Sequence, residues 1–487
     1  MRSASPGPRT GCASVTSSPP RRWNCGWPGR RAAATPDGRP ADLLVVGAAE
    51  VATLAGGLRR GSGQGDAAVL RADEAGPLAV AVLDGRIAAV GLERDVLSGI
   101  AGLGLHPDDL KRIDARGATV TPGLVDAHTH LAFAGTREAE LGLRQAGAGY
   151  LGILAAGGGI LSTVERTRAA TSQALLAHGR RWSYEMLRHG VTTAEVKSGY
   201  GLDVETELRL LEVYRQLGAE GPLELVPTFL GAHAVPPEFA GRVDDYVRDV
   251  VERQLPAVAE QGIARFCDVF CERGVFDAAR SRRILEAARA HGLAARLHAD
   301  ELHDSGGAAL AAEMGAVSAD HLAAISVDGI ASLARAAEDG RPVVATLLPA
   351  TTYYLMASHH APARELIDAG VPIALGTDFN PGTSPAPNLQ MAMAMATVQL
   401  GLTAAEALVA ATVNAAHAVG LGGSHGALEV GRAGDLVVWD VPRHELLPYW
   451  LGADLVRSVV KGGTVVIDSP SSRDGIVRPG RGRHRSG

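Results

Sequence analysis

The chain has 487 residues, 46% of them hydrophobic and 21% charged, with a formal net charge of −6. Such a length exceeds one ordinary core and predicts two packed units, while the mild negative charge offers nothing to a nucleic-acid backbone. No apolar run approaches the roughly 20 residues that a membrane-crossing helix needs, so the expectation is a soluble protein with a small-molecule partner, no nucleic acid and no membrane.

Residues 1–41 are rich in Arg, Pro, Ser and Gly and hold one acidic residue, Asp37. They predict a disordered N-terminal extension. Their prolines and glycines oppose an amphipathic transit helix, and they lack the apolar core of a secretory signal. The stretch 468–487 predicts a disordered tail in the same way. Cys12, Cys25, Cys267 and Cys271 are too few and too scattered for a disulfide framework, which points to a reducing, cytoplasmic location. Cys267 and Cys271, in FCDVFCERG, read as buried structural thiols.

From 42 to 120 the texture is β-like: DLLVVGA, LAVAVLDGRIAAVG and ATVTPG, punctuated by Gly and Asp-Gly turns. It returns at 426–467 in GALEVGRAGDLVVWDV and RSVVKGGTVVID, which predicts one small β-sandwich built from both ends of the chain. The middle, 121–425, behaves differently. Eight short apolar runs, VTPGLVDAH, VTTAEVKS, LELVPTFLG, ARFCDVFCE, AARLHAD, VSADHL, PVVATLLP and VPIALGTD, are mostly separated by helical patterns such as VETELRLLEVYRQLG and DAARSRRILEAARAHG. This α/β alternation predicts a closed (β/α)8 TIM-type barrel. An open doubly wound sheet is the alternative, but the single G-x-G-x-x-G match, GAGYLG at 147–152, lies well past the first strand, where a dinucleotide turn is not expected.

Active-site residues of such barrels sit at the C-terminal ends of the strands. Here the first run ends in His128 and His130, the second in Lys197, Ser198 and Tyr200, the third in His233 and the fourth in Cys271 and Glu272. The fifth gives His298, Asp300 and Glu301, the sixth Asp320 and His321, and the eighth Asp378 and Asn380. Any one of these could be a satisfied structural group. Polar residues at almost every strand end instead point to a metal-centred site. In an extended chain, residues two apart face the same side, so His128 and His130 can share one ion. His298 and Asp378 complete a set that leaves room for water, and the first and eighth strands are neighbours in a closed barrel. A cation so held lowers the pKa of water, and Asp378 can both touch the metal and carry the proton.

With these ligands placed, the chain resembles the amidohydrolase superfamily over about residues 42–467. The segments that carry the resemblance are PGLVDAHTHLAFAGTRE, GGGILSTVERTR, EVKSGYGL, PTFLGAHAVP, LHADEL, SADHL and GTDFNPGTS. Within the superfamily, KSGYGL, HADE and TDFNPGTS together resemble the branch that opens the cyclic amide of 4-imidazolone-5-propanoate to N-formimino-L-glutamate, the third step of histidine degradation. The resemblance implies one zinc or iron ion per chain on His128, His130, His298 and Asp378, and a homodimer. It implies that Arg137 grips the substrate carboxylate, that Tyr200, His233 and Glu301 contact the ring, and that Asn380, Gly382 and Thr383 hold the other end. Asp378, His321 and Glu301 are the expected catalytic groups. Lys197 ends the second strand, not the strand whose carboxylated lysine bridges two metals in some relatives, and the fourth strand's Cys271 and Glu272 argue for one metal. The alternatives are another superfamily deaminase or cyclic-amide hydrolase, and a silent binding protein that keeps the barrel. A carboxylate-bearing substrate needs the cation of Arg137; an uncharged base does not.

Overall fold

The computed structural model describes residues 42–469 except 74, 149–151 and 154–157. Residues 1–41 and 470–487 and half of the GAGYLG match therefore lie outside the described residues, while Asp468, expected to open the disordered tail, ends the last strand. Seven strands precede the barrel proper: β1 (Leu43–Ala48), β2 (Glu50–Ala52), β3 (Val69–Arg71), β4 (Leu78–Leu83), β5 (Arg86–Leu92), β6 (Lys111–Asp114) and β7 (Thr119–Pro122). Eight form one parallel sheet: β8 (Leu124–Asp126), β9 (Val191–Lys197), β10 (Glu224–Ala232), β11 (Phe266–Cys271), β12 (Ala294–Ala299), β13 (Ser318–His321), β14 (Val344–Leu347) and β15 (Ile373–Leu375). Three follow it: β16 (Leu436–Trp439), β17 (Val456–Lys461) and β18 (Thr464–Asp468).

The end strands make two sheets, ordered β5-β4-β1-β6 and β18-β17-β16-β7-β2-β3. The second mixes strands from both ends of the chain, with β16 antiparallel to β7 in the register Val437 to Thr121. Val45, Val80 and Ile87 of the first sheet share a buried cluster with Val51, Val120, Val438 and Val460 of the second, so the two pack as a sandwich. The apolar run VTPGLVDAH, read as one barrel strand, is two. It breaks at Gly123, where a Cβ would fall 2.2 Å from Thr192 Oγ1; β7 stays in the sandwich and only β8 enters the barrel. A second difference lies in the segment read as β: Glu93–Gly102 is a helix, burying Val96 and Ile100 four residues apart on one face.

Around the barrel the helices start where capping chemistry places them. Thr171, Asp203, Asp277 and Ser326 each accept a backbone N–H three residues on, opening the helices Ser172–Arg188, Val204–Glu220, Ala278–Ala290 and Val327–Glu338. Leu210, Leu211, Ile284, Leu285 and Leu333 of these helices pack against Val196, Phe229, Val269 and Leu297 of the strands. No helix among the described residues is long and apolar enough to cross a membrane.

Strand order leaves β15 and β8 at the two ends of the barrel ladder. The seam between them is spanned just beyond the strands: Asp378 N donates to His128 O and His130 N to Phe379 O, both at 2.9 Å, around a Thr129–Phe379 bridge. Thr377 N adds a 2.9 Å bond to Asp126 Oδ1. The segments that carry His128, His130 and Asp378 thus form the seam. At the N-terminal end of β10, Lys461 of β17 donates at 2.7 Å to Glu224 and to Asp435, joining sandwich and barrel.

Candidate active site

Alternate residues of a strand share a face, and in this barrel the inward face is charged. Glu195 and Lys197 of β9, Asp268 of β11, Arg296 of β12 and Asp320 of β13 are all 0% exposed. Lys197 Nζ lies 2.9 Å from Glu195 and 2.8 Å from Asp268, while Arg296 Nη2 lies 3.0 Å from Asp320. Burial penalises the charges of Lys197, Asp268, Arg296 and Asp320, and their mutual pairing offsets that cost. The carboxyl of Asp268 is held well below the usual range because His298 and Lys197 outweigh its burial; Asp320 is lowered by Arg296 and Lys197 against the same opposition.

This ionic floor carries the histidines above it. Asp320 Oδ2 meets His128 Nδ1 at 2.7 Å, and Asp268 Oδ1 meets His298 Nδ1 at 3.1 Å. Each contact fixes a ring and turns its Nε2 inward, the arrangement in which a carboxylate orients a metal-binding imidazole. Among the described residues, Nε2 of His128, His298 and His321 and Nδ1 of His130 are buried without a hydrogen-bond partner, which is costly for polar atoms unless something else engages them. Asp378 Oδ1 stands 3.4 Å from His128 Nε2 and 3.5 Å from His130 Nε2, and its Oδ2 accepts the Thr351 hydroxyl at 2.7 Å. Three overlapping groups have ligand atoms within 4.8 Å of one another: His128, His298 and His321; His130, His233 and His298; and His128, His130 and Asp378. Burial, with Lys197 beside His128 and His298 beside His130, holds both imidazoles well below their ordinary pKa and therefore neutral. Neutral imidazoles with unpartnered nitrogens and a carboxylate are the donor set a divalent zinc or iron ion takes, so the residues fit such an ion.

A cleft opens above these groups, lined by His130, Arg137, Tyr200, His233, His298, Glu301, His321, Asp378, Asn380 and Thr383, with Ile160 and Phe270 as its apolar wall. Nearly every residue expected at the site therefore meets in one place; Gly382 sits against Arg137 beside it. Glu301 is pushed well above the ordinary carboxylate range by burial and then by Asp378. His321 Nδ1 lies 3.7 Å from Glu301 Oε1, and burial lowers its pKa to about 3. His233 stacks on His130 with ring centres 5.0 Å apart, its Nδ1 3.0 Å from Gly199 O.

The loops that deliver these groups are clamped by buried carboxylates. Glu207 accepts the backbone N–H groups of Gly199, Gly201 and Leu202, which brackets Tyr200. Glu272 accepts from Leu302 N and Ser305 Oγ, and Asp300 from the N–H groups of Ser305, Gly307 and Ala308. Glu301 stands between those two clamps in sequence. Asn380 Oδ1 takes the N–H groups of Gly382 and Thr383, each at 2.8 Å. Asp300, His321 and Asp378 all hold positive φ, at 50°, 76° and 51°, a strain of about 1–3 kcal/mol each that a rigid surround sustains.

Sequence reasoning did not single out Asp268, Glu195, Arg296, Glu207 or Thr351. The first three belong to apolar-looking strands and gave no spacing signal, although their inward parity with Lys197 and His298 is visible once the strands are known. Thr351 follows the seventh strand, the one strand for which no site residue was expected. Lys197 lies under the site as an ion-paired floor residue, and Cys267 and Cys271 are buried free thiols.

A model of the amidohydrolase family matches residues 119–466. A protein of Symbiobacterium thermophilum named imidazolonepropionase is 49% identical over 436 residues, covering 89% of this chain and 99% of that one. Another of that name, from Myxococcus xanthus, is 48% identical over 430 residues, covering 88% and 97%. Among solved structures, an adenosine deaminase from Xanthomonas campestris with bound zinc shares the fold at a TM-score of 0.60 and 22% identity, covering 88% of this chain and 93% of that one.

Proposed function

The chain belongs to the amidohydrolase family, and on that premise we propose that it hydrolyses the cyclic amide of 4-imidazolone-5-propanoate to N-formimino-L-glutamate, the third step of histidine degradation. The observation that carries the reading is the convergence, in one cleft, of the inward imidazoles and Asp378 with the guanidinium of Arg137. One end suits hydrolysis; the other suits an anionic substrate tail.

His128, His130, His298 and Asp378 would hold one zinc or iron ion per chain. When bound, such an ion polarises a carbonyl and makes hydroxide accessible near neutral pH. The chain's own residues do the rest. Arg137 binds the propanoate carboxylate through charge-assisted bonds. Tyr200 and His233 flank the ring from the β9 and β10 loops, and Asn380, Gly382 and Thr383 close the cleft beside Arg137. Asp378 takes the proton of the attacking water and returns it to the ring nitrogen as the amide C–N bond breaks. The Thr351 hydroxyl donates to its Oδ2, while its Oδ1 faces His128 and His130. Glu301, kept protonated by burial and by Asp378, can donate a hydrogen bond to the substrate ring. His321 stands beside it as a neutral imidazole, suited to the carbonyl oxygen that gains charge. A cytoplasmic homodimer belongs to the same proposal, supported by the family likeness and by the two buried thiols.

The test is consumption of 4-imidazolone-5-propanoate by purified protein, before and after a chelator and after return of zinc or iron. Turnover that disappears and returns supports the reading. Metal-loaded protein that leaves this compound intact would overturn it.

A further inference from the structure

Arg137 is held from behind. Its Nε and Nη2 donate to the two carboxylate oxygens of Glu140, both at 2.9 Å. Glu140 Oε2 also accepts Arg144 Nη2 at 3.1 Å, and Oε1 accepts the backbone N–H of Gly159 at 2.7 Å. Arg144 Nη1 reaches on to the carbonyl of Gly382 at 3.0 Å. The three side chains are 4–8% exposed. On a solvated helix, pairs three and four residues apart are ordinary and weak. Here they are desolvated beside the cleft, where burying three charges is costly unless the geometry returns something.

Two consequences follow from the arrangement. A bidentate pair fixes both the plane and the rotation of a guanidinium, and the face of Arg137 is pressed on Gly382, where a Cβ would fall 2.1 Å from its Cζ. Arg137 with Glu140 alone is a neutral pair, which would cancel its attraction for an anion; adding Arg144 brings the triplet to one positive charge. We propose that Glu140 and Arg144 are positioning residues that aim Arg137 and keep its surroundings cationic, and so set the preference for a substrate with an anionic tail. This rests on the assignment of Arg137 to the substrate carboxylate.

The test compares 4-imidazolone-5-propanoate with its neutral carboxamide analogue in Arg137→Ala, Glu140→Gln and Arg144→Met, with metal content and melting temperature measured alongside. Glu140→Gln should raise KM for the carboxylate substrate by about tenfold or more with kcat much less affected. Arg144→Met should raise the same KM, because the remaining pair is neutral. In neither variant should KM for the carboxamide rise, and bound metal should stay as in the parent. A purely structural role would move both substrates together. If Arg137→Ala raises KM but Glu140→Gln and Arg144→Met leave it unchanged or lower it, the positioning proposal is wrong. If Arg137→Ala itself leaves KM unchanged, the carboxylate assignment fails first. Arg144→Met keeps the Arg137–Glu140 pair and decides the matter alone should Glu140→Gln not fold.

Discussion

Replacement of Gly382 by alanine tests the cleft through the residue that packs against the Arg137 guanidinium. The backbone there does not lie in the left-handed region reserved for glycine, so alanine meets no conformational penalty and the effect is steric. Its Cβ would sit 2.1 Å from both Cζ and Nη1 of Arg137 and 2.6 Å from Nη2. The loop cannot yield easily, since Asn380 Oδ1 holds the N–H groups of Gly382 and Thr383 and Arg144 holds the Gly382 carbonyl. The guanidinium must therefore move by about 1 Å or more to reach van der Waals contact. The Arg137 tip, paired with Glu140 at 2.9 Å, gives way only by disturbing that buried pair, so the melting temperature should fall alongside. The tip's bonds to a substrate carboxylate should not survive, and each charge-assisted bond is worth about 1.5–3 kcal/mol. At about 1.4 kcal/mol per tenfold, one lost bond raises KM for the carboxylate substrate by about ten- to hundredfold. Steady-state kinetics with metal analysis and thermal melting read this out. Gly218→Ala is the control, because nothing lies within 4 Å of a Cβ there. An unchanged KM in Gly382→Ala would refute the placement of Arg137 as the carboxylate clamp.

Three further outcomes are expected. His298→Ala should lose both bound metal and turnover, measured by elemental analysis and activity; full metal occupancy would remove His298 from the ligand set. Asp378→Asn, where it retains metal, should lose about 10²–10⁴ in turnover, the usual contribution of acid–base catalysis, and near-normal rates across pH would shift the proton path to His321 or Glu301. Glu224, whose burial alone would raise its pKa, is brought down to about 2 from 4.5 by His425 and Lys461. Its stabilisation is thus complete above about pH 4.5 and lost as pH falls toward 2. At 37% side-chain exposure this is of order 1 kcal/mol after screening. Glu224→Gln should therefore flatten the acid limb of a melting-temperature profile, and an unchanged limb would show that the Lys461 bridge does not stabilise the join.

How much of this was legible beforehand depends on where each residue stands. The strand and helix alternation is local, set by apolar runs and by caps such as Asp203 and Asp277, and it survives unchanged. VTPGLVDAH was misleading because its apolar pattern continues through Gly123, and only the close approach of Thr192 divides it between sandwich and barrel. The helix Glu93–Gly102 was missed because its apolar positions, Val96 and Ile100, are few and sit among glycines in a β-textured stretch.

By itself the sequence determined the fold class, the pairing of both chain ends in one sandwich, and the polar groups at the strand ends, because periodicity and strand-end chemistry are written in consecutive residues. Tertiary structure alone decided what stands behind those groups. Asp268 and Asp320 aim His298 and His128, Lys197 and Arg296 hold those carboxylates charged, and Glu140 with Arg144 hold Arg137. Most of these contacts join residues 20 or more positions apart, and burial multiplies what a charge gains from a partner and loses without one. A carboxylate in a strand spells nothing about which side chain the barrel will bring against it.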